Sequence, residues 1–197
     1  MGKKSIYEYE NIFVDTGVII DLLKTDVAKS TDLVKKRIKL VNKFFTALKL
    51  KKNKVIFTIS SLNIAEIFHV DAMHDDSLTA IINLFDSQNV VVISFEEDTA
   101  LYHNSEFHHI LGNKEIDKIK TECGYEGSQY CNTRERIRKD VLLVATAKMQ
   151  KADLILTNDN GFKTLCIKQG LFCYCFTDKE DDFIMSGGGN KLIDFKF

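Results

Sequence analysis

The stretch Asn11–Leu23, NIFVDTGVIIDLL, decides how the rest of the chain is read. Its first half is apolar, with Ile12, Phe13 and Val14 in a row, and reads as a short buried strand. Its second half reads as a helix. Asp15 stands at the change from one to the other, followed by Thr16 and Gly17. Taken alone, Asp15 has an ordinary explanation as a helix cap or turn former. It gains chemical meaning only from the other acids that the fold brings beside it.

Outward from this unit the pattern repeats. VIFTIS (55–60), VVVISF (90–95), LILTND (154–159) and FCYCFT (172–177) read as further strands. Helical periodicity falls between them, in DLVKKRIKLVNKFFTALKLKK (32–52), SLNIAEIFHV (61–70), DDSLTAIINLFDS (75–87), EEDTALYHNSEFHHIL (96–111), RIRKDVLLVATAKMQ (136–150) and GFKTLCIKQG (161–170). In the first of these, Val34, Ile38, Val41, Phe45 and Leu48 make an apolar stripe, with Lys35, Lys39 and Lys43 on another face. Short, almost wholly apolar strands alternating with helices predict an α/β fold with a mostly parallel sheet of about five strands, covered on both faces. GNKEIDKIKTECGYEGSQYCN (112–132) is polar, holds Gly124 and Gly127, and reads as a loop or frayed insertion. Residues 1–185 are expected to form one domain. SGGGN (186–190) then links to an apolar tail, KLIDFKF (191–197), which suits an added edge strand.

The totals bound the function classes. The chain has 197 residues, 45% hydrophobic and 28% charged, with a net charge of −1, as an ordinary globular protein does. MGKKSIYEYE carries no apolar run behind its lysines and is not a secretory signal, and no stretch is long enough to span a bilayer. A soluble cytoplasmic protein without a membrane partner is expected. Its five cysteines are then reduced thiols. The charge is unevenly placed: Leu33 to Ala65 holds nine bases and no acid. That is compatible with an anion-binding face, although on this feature alone a solvated helix face is the better reading. No Walker loop, GxGxxG, GxSxG or HExxH occurs. His103, His108 and His109 are poorly spaced for zinc, and Cys166, Cys173 and Cys175 read as buried thiols.

Loops at the carboxyl ends of parallel strands form the natural ligand crevice. Asp15 and Asp159 follow strands there; Glu66 lies one to two turns into the helix after the second strand, and Asp140 opens the apolar run VLLVATA. Each has a plain structural reading as a cap, turn or surface acid. Together they make a concentration of negative charge that calls for protonation or for hard cations such as Mg²⁺ or Mn²⁺. Asp21, inside the first helix, reads as a surface residue. An aspartyl nucleophile at Asp15 would want a second acid two residues on, where Gly17 stands.

Three blocks resemble PIN-domain nucleases: FVDTGVIIDLL, SSLNIAEI and DVLLVATAKMQKADLILTNDNGF, in that order from Phe13 to Phe162. VapC-type toxins of type II toxin–antitoxin pairs look closest. The resemblance implies a PIN-like α/β/α sandwich and a metal-dependent endoribonuclease using Mg²⁺ or Mn²⁺. It places Asp15, Glu66, Asp140 and Asp159 as the metal-binding acids, with Thr16 and Thr157 as the hydroxyls beside them. It also implies an RNA substrate and suits an antitoxin partner and a homodimer. A stand-alone RNA-processing nuclease and an inactive RNA-binding module are the alternatives. Arg134, Arg136, Arg138 and Lys139, with Lys35, Lys39 and Lys43, are candidate phosphate contacts; Tyr125 and Tyr130 are candidates for stacking on unpaired bases.

Overall fold

Strand β1 (Asn11–Val14) is the centre of the sheet, as its unbroken apolar character requires. The structure is a computed structural model, which describes residues 8–24, 27–49, 55–68, 79, 83, 89–107, 112–125 and 133–177. The other strands are β2 (Ile56–Ser60), β3 (Val90–Ile93), β4 (Leu154–Thr157) and β5 (Cys173–Cys175). Their order is β3-β2-β1-β4-β5, and every pairing is parallel. Seven helices lie among the described residues: α1 (Thr16–Leu23), α2 (Asp32–Lys49), α3 (Ser61–Phe68), α4 (Glu97–Phe107), α5 (Asn113–Glu122), α6 (Thr133–Met149) and α7 (Asn160–Lys168). This is the expected α/β/α arrangement. Of the proposed helix over 75–87 only Thr79 and Asn83 are described, both helical; His108, His109, Tyr130 and the tail from 186 lie outside the described residues.

Alternation along each strand divides the core into two layers. Phe13 and Ile155 point to one face, where they pack with Phe107, Ile116, Ile137, Val141 and Phe162. Ile12, Val14, Leu154 and Leu156 point to the other, against Val18, Ile19, Val41, Phe44 and Ile67. The chain leaves β1 for β2 and β3 on one side, then crosses back to β4 on the other. The carboxyl ends of β1 and β4 therefore flank the point where the winding reverses, which is where such sheets open a crevice. At the opposite edge the strands are pinned by polar clamps. Asp153 accepts from the amides of Glu10 and Asn11 at 3.0 Å each, and Thr58 donates to the Asn11 side chain at 2.7 Å.

Two sequence expectations need correction. Residues 113–122, read as a loop, form α5. The segment is polar, yet Ile116, Ile119 and Cys123 recur on one face and are buried against α6 and α7, and that burial stabilises the helix. The stripe on α2 is also rotated slightly: Ile38, Val41, Phe44 and Leu48 are buried, while Phe45 is only partly covered.

Candidate active site

Asp15 ends β1 and caps α1. Its Oδ1 accepts from the Thr16 amide at 2.8 Å, and its Oδ2 from the Thr157 hydroxyl at 2.7 Å. Thr157 ends β4, and its hydroxyl also accepts from the Asp159 amide at 3.0 Å, so one side chain ties the ends of two central strands together. Asp159 in turn caps α7: its Oδ1 accepts from the amides of Gly161 (2.7 Å) and Phe162 (3.1 Å). A Cβ on Gly161 would lie 3.1 Å from Asp159 Oδ1 and 3.2 Å from the Tyr125 ring, so a larger residue there would press on both side chains. Both aspartates thus have the capping role that their local sequence offers. Capping does not exhaust them, because each keeps a face on a shared space.

Glu66 reaches that space from α3. The Thr16 hydroxyl donates to its Oε2 and itself accepts from Asn63 Nδ2 at 2.8 Å. Asn63 is buried, and its Oδ1 accepts from the Ser60 amide at 2.9 Å, which fixes the turn from β2 into α3. Asp140 projects from α6, is 7% exposed, and accepts from the Tyr125 hydroxyl at 2.7 Å. The four acids, from four separate elements, line one cavity of about 840 Å³, with Thr16 among its other walls. That size is ordinary for a ligand site.

The cavity is overloaded with negative charge. Among the described residues, six carboxylates line it (Asp15, Asp21, Glu66, Glu135, Asp140 and Asp159) against three cations, Arg37, Arg136 and Lys139. The strain appears in the titration of the acids. Burial pushes Asp140 up to about 7; the hydrogen bond from Tyr125 opposes this, and the charges of Asp15 and Asp159 add to it. Desolvation by the cavity walls likewise pushes Asp15 up to about 6, against the hydrogen bond from Thr157 and with the charge of Asp159. Tyr125 is pushed far upward by burial and by the Asp140 charge, so it stays a hydrogen-bond donor.

The cations are unevenly distributed among the acids. Lys139 pairs with Glu66 and Arg136 with Asp159; both cations come from the α6 face that carries Asp140. Among the described residues, no three His, Cys, Asp or Glu side chains are placed to hold a metal ion. The donor chemistry nonetheless suits one. Carboxylate and hydroxyl oxygens with excess negative charge are what hard divalent cations bind. Arg134 points elsewhere, to a bidentate pair with Asp117 at 2.8 and 3.0 Å. Arg138 is exposed, and it is not among the cavity's walls; neither are Lys35, Lys39 and Lys43.

Several residues of the site were not identified from sequence. Asp21, read as a surface acid, is 2% exposed. It holds Arg37 through a bidentate pair at 2.6 and 2.9 Å and accepts from Asn158 Nδ2 at 2.6 Å. A lone acid within VIIDLL was the available signal, since both neighbours on each side are apolar. Arg37 brings α2 to the cavity, from a face that the lysine stripe did not mark. Tyr125 does not stack on ligand bases: it is 3% exposed, bonded to Asp140, with the Arg136 guanidinium 5.5 Å from its ring centre. No local pattern marks it. The free cysteines Cys123, Cys166, Cys173 and Cys175 are buried, as expected, and no described helix is long and apolar enough to cross a membrane.

No family model matches the chain, and no curated protein matches it either. Solved structures do. One is VapBC2 from Rickettsia felis, bound to a DNA fragment from its promoter, at 16% identity and a TM-score of 0.44, covering 84% of this chain and 98% of that one. A second is VapC20 from Mycobacterium tuberculosis, a sarcin-ricin loop cleaving toxin, at 14% identity and 0.40, covering 73% and 86%. A third is FitAcB from Neisseria gonorrhoeae, at 14% identity and 0.43, covering 84% and 97%.

Proposed function

We propose that this chain is a PIN-type endoribonuclease that hydrolyses RNA phosphodiester bonds with Mg²⁺ or Mn²⁺. The observation that carries the reading is the meeting of Asp15, Glu66, Asp140 and Asp159, from four elements, in one cavity with more carboxylates than cations. These four side chains would hold the ion or ions. Bound there, a divalent cation supplies a water of lowered pKa and positive charge for the phosphodiester in its transition state.

The chain's own residues do the positioning. Thr157 holds Asp15, Thr16 holds Glu66, and Tyr125 holds Asp140, each by a hydroxyl donating to a carboxylate. Such outer hydrogen bonds fix the direction of the acid's free lone pairs. Arg136 and Lys139 supply positive charge for the phosphates on either side of the scissile bond. In-line attack by water would leave a 5′-phosphate and a 3′-hydroxyl. No covalent intermediate is needed.

The resemblance of FVDTGVIIDLL and DVLLVATAKMQKADLILTNDNGF to VapC-type toxins extends the reading to a cytoplasmic toxin, held in check by an antitoxin protein and acting as a homodimer. The decisive assay is cleavage of single-stranded RNA with and without EDTA, by wild type, Asp15→Asn and Asp140→Asn. Cleavage that needs the metal and is lost in both variants is expected. Tight RNA binding without cleavage by the wild type would replace the enzyme reading with a binding module. Growth arrest on induced expression, absent for Asp140→Asn, would test the toxin role.

A further inference from the structure

The oxygens of the cavity acids already carry hydrogen bonds or ion pairs, though most keep a further lone pair. Both oxygens of Asp15 are engaged, by the Thr16 amide and the Thr157 hydroxyl. So are both of Glu66, by Thr16 and Lys139, and both of Asp159, by two α7 amides and Arg136. One oxygen of Asp140 is taken by Tyr125. A divalent cation brought against Glu66 Oε1 or Asp159 Oδ2 meets Lys139 or Arg136 already paired there, and like charges repel. Backbone amides, Thr157 and Tyr125 are fixed in buried elements and are poor candidates for leaving. Arg136 and Lys139 are about one-third exposed, on long flexible stems, and face the same cavity from one turn of α6.

The charges make this displacement balanced. Two monovalent cations leave the carboxylates as one divalent cation arrives, so the charge beside the acids is conserved. The released guanidinium and ammonium groups then need anions. Consecutive phosphates of a nucleic-acid strand supply one negative charge each, and a guanidinium fork and an ammonium are the usual groups that meet them.

We propose that Arg136 and Lys139 are exchangeable counter-ions, which pair with Asp159 and Glu66 as seen here and transfer to strand phosphates when a divalent cation takes those carboxylates. Metal and single-stranded nucleic acid then bind cooperatively, each tightening the other by the same factor. This inference rests on the nuclease reading and deepens it. The two cations act as gatekeepers of metal entry as well as phosphate contacts.

The test is Mn²⁺ affinity, read from the signal of free Mn²⁺ by electron paramagnetic resonance, with no turnover involved. Wild type, Lys139→Gln, Arg136→Gln and the double variant are titrated alone and with a short phosphorothioate-linked oligoribonucleotide, corrected for Mn²⁺ held by the oligonucleotide itself. Arg134→Gln is the control for general charge loss, because Arg134 pairs with Asp117 away from the cavity walls. Thermal melts confirm that each variant folds.

In wild type the oligonucleotide is expected to tighten Mn²⁺ about tenfold, the scale of a partly exposed charge pair at close range. The double variant should bind Mn²⁺ about tenfold more tightly than wild type without oligonucleotide, and lose the tightening. Arg134→Gln should behave as wild type. Equal Mn²⁺ affinity in wild type and the double variant would overturn the exchange while leaving the nuclease reading in place. No Mn²⁺ binding by any form would overturn both.

Discussion

Replacing Asp140 by Asn should stabilise the metal-free protein at pH 8 while abolishing cleavage. An aspartate in the unfolded chain titrates near 3.9. In the fold Asp140 titrates at about 7, mainly because it is buried. Between those values the native state keeps a proton that the unfolded state has lost. Stability contributed by this group is therefore fullest at low pH and is lost as pH rises through 4 to 7. Going from pH 5 to pH 8, about two pH units of that window remain, which is about 3 kcal/mol. Asn keeps an oxygen to accept from Tyr125 but carries no charge, so Asp140→Asn removes the slope. The variant's advantage over wild type should grow by about 3 kcal/mol between pH 5 and pH 8, or about 6–12 °C in Tm for a chain of this size. Urea unfolding in EDTA at the two pH values measures the effect, and subtraction of the wild-type curve cancels groups titrating in both proteins. Saturating Mg²⁺ should close the gap by stabilising wild type, by about 2.7 kcal/mol at one hundred times its Kd. Parallel wild-type and Asp140→Asn curves at both pH values would refute the claim that an over-charged cavity destabilises the apo fold.

Other outcomes follow from the same geometry. Asp21→Ala should cost about 1–3 kcal/mol in urea unfolding, because it leaves the half-buried Arg37 guanidinium and Asn158 amide without their acceptor; Asp21→Ala with Arg37→Met should recover much of that loss. Tyr125→Phe should lower kcat/KM for RNA by about 10–100-fold with the fold intact, as loss of a hydrogen bond that orients a metal-binding acid does. His103 is buried beside Phe107, its Nε2 has no hydrogen-bond partner among the described residues, and burial holds its pKa below the ordinary histidine value. Its neutral form is thus the stable one in the fold, so its contribution is present above about pH 6.5 and declines as pH falls below it. His103→Leu should flatten that acid limb in thermal melts.

The parts of this protein legible in its sequence are those that local pattern encodes. Apolar runs such as Ile12–Val14 and Leu154–Leu156 announced buried parallel strands, and Asp15 and Asp159 announced themselves as caps at strand ends because an acid just before a helix satisfies free amides there. The convergence of Glu66 and Asp140 on them follows from parallel topology, which sends the carboxyl end of every strand to one edge. What the tertiary structure alone decided are pairings between residues far apart in the chain. Helix α5 forms because Ile116, Ile119 and Cys123 find a core to enter; three apolar residues at helical spacing in a polar segment are a weak signal until that core is there. Tyr125 meets Asp140, Arg37 meets Asp21, and Arg136 and Lys139 turn inward while Arg134 turns to Asp117. Periodicity reports which face of an element is apolar. It cannot report which charged or aromatic group lies opposite, because that depends on how distant elements are packed, and the energy of a buried charge is set by those neighbours rather than by its own position in the chain.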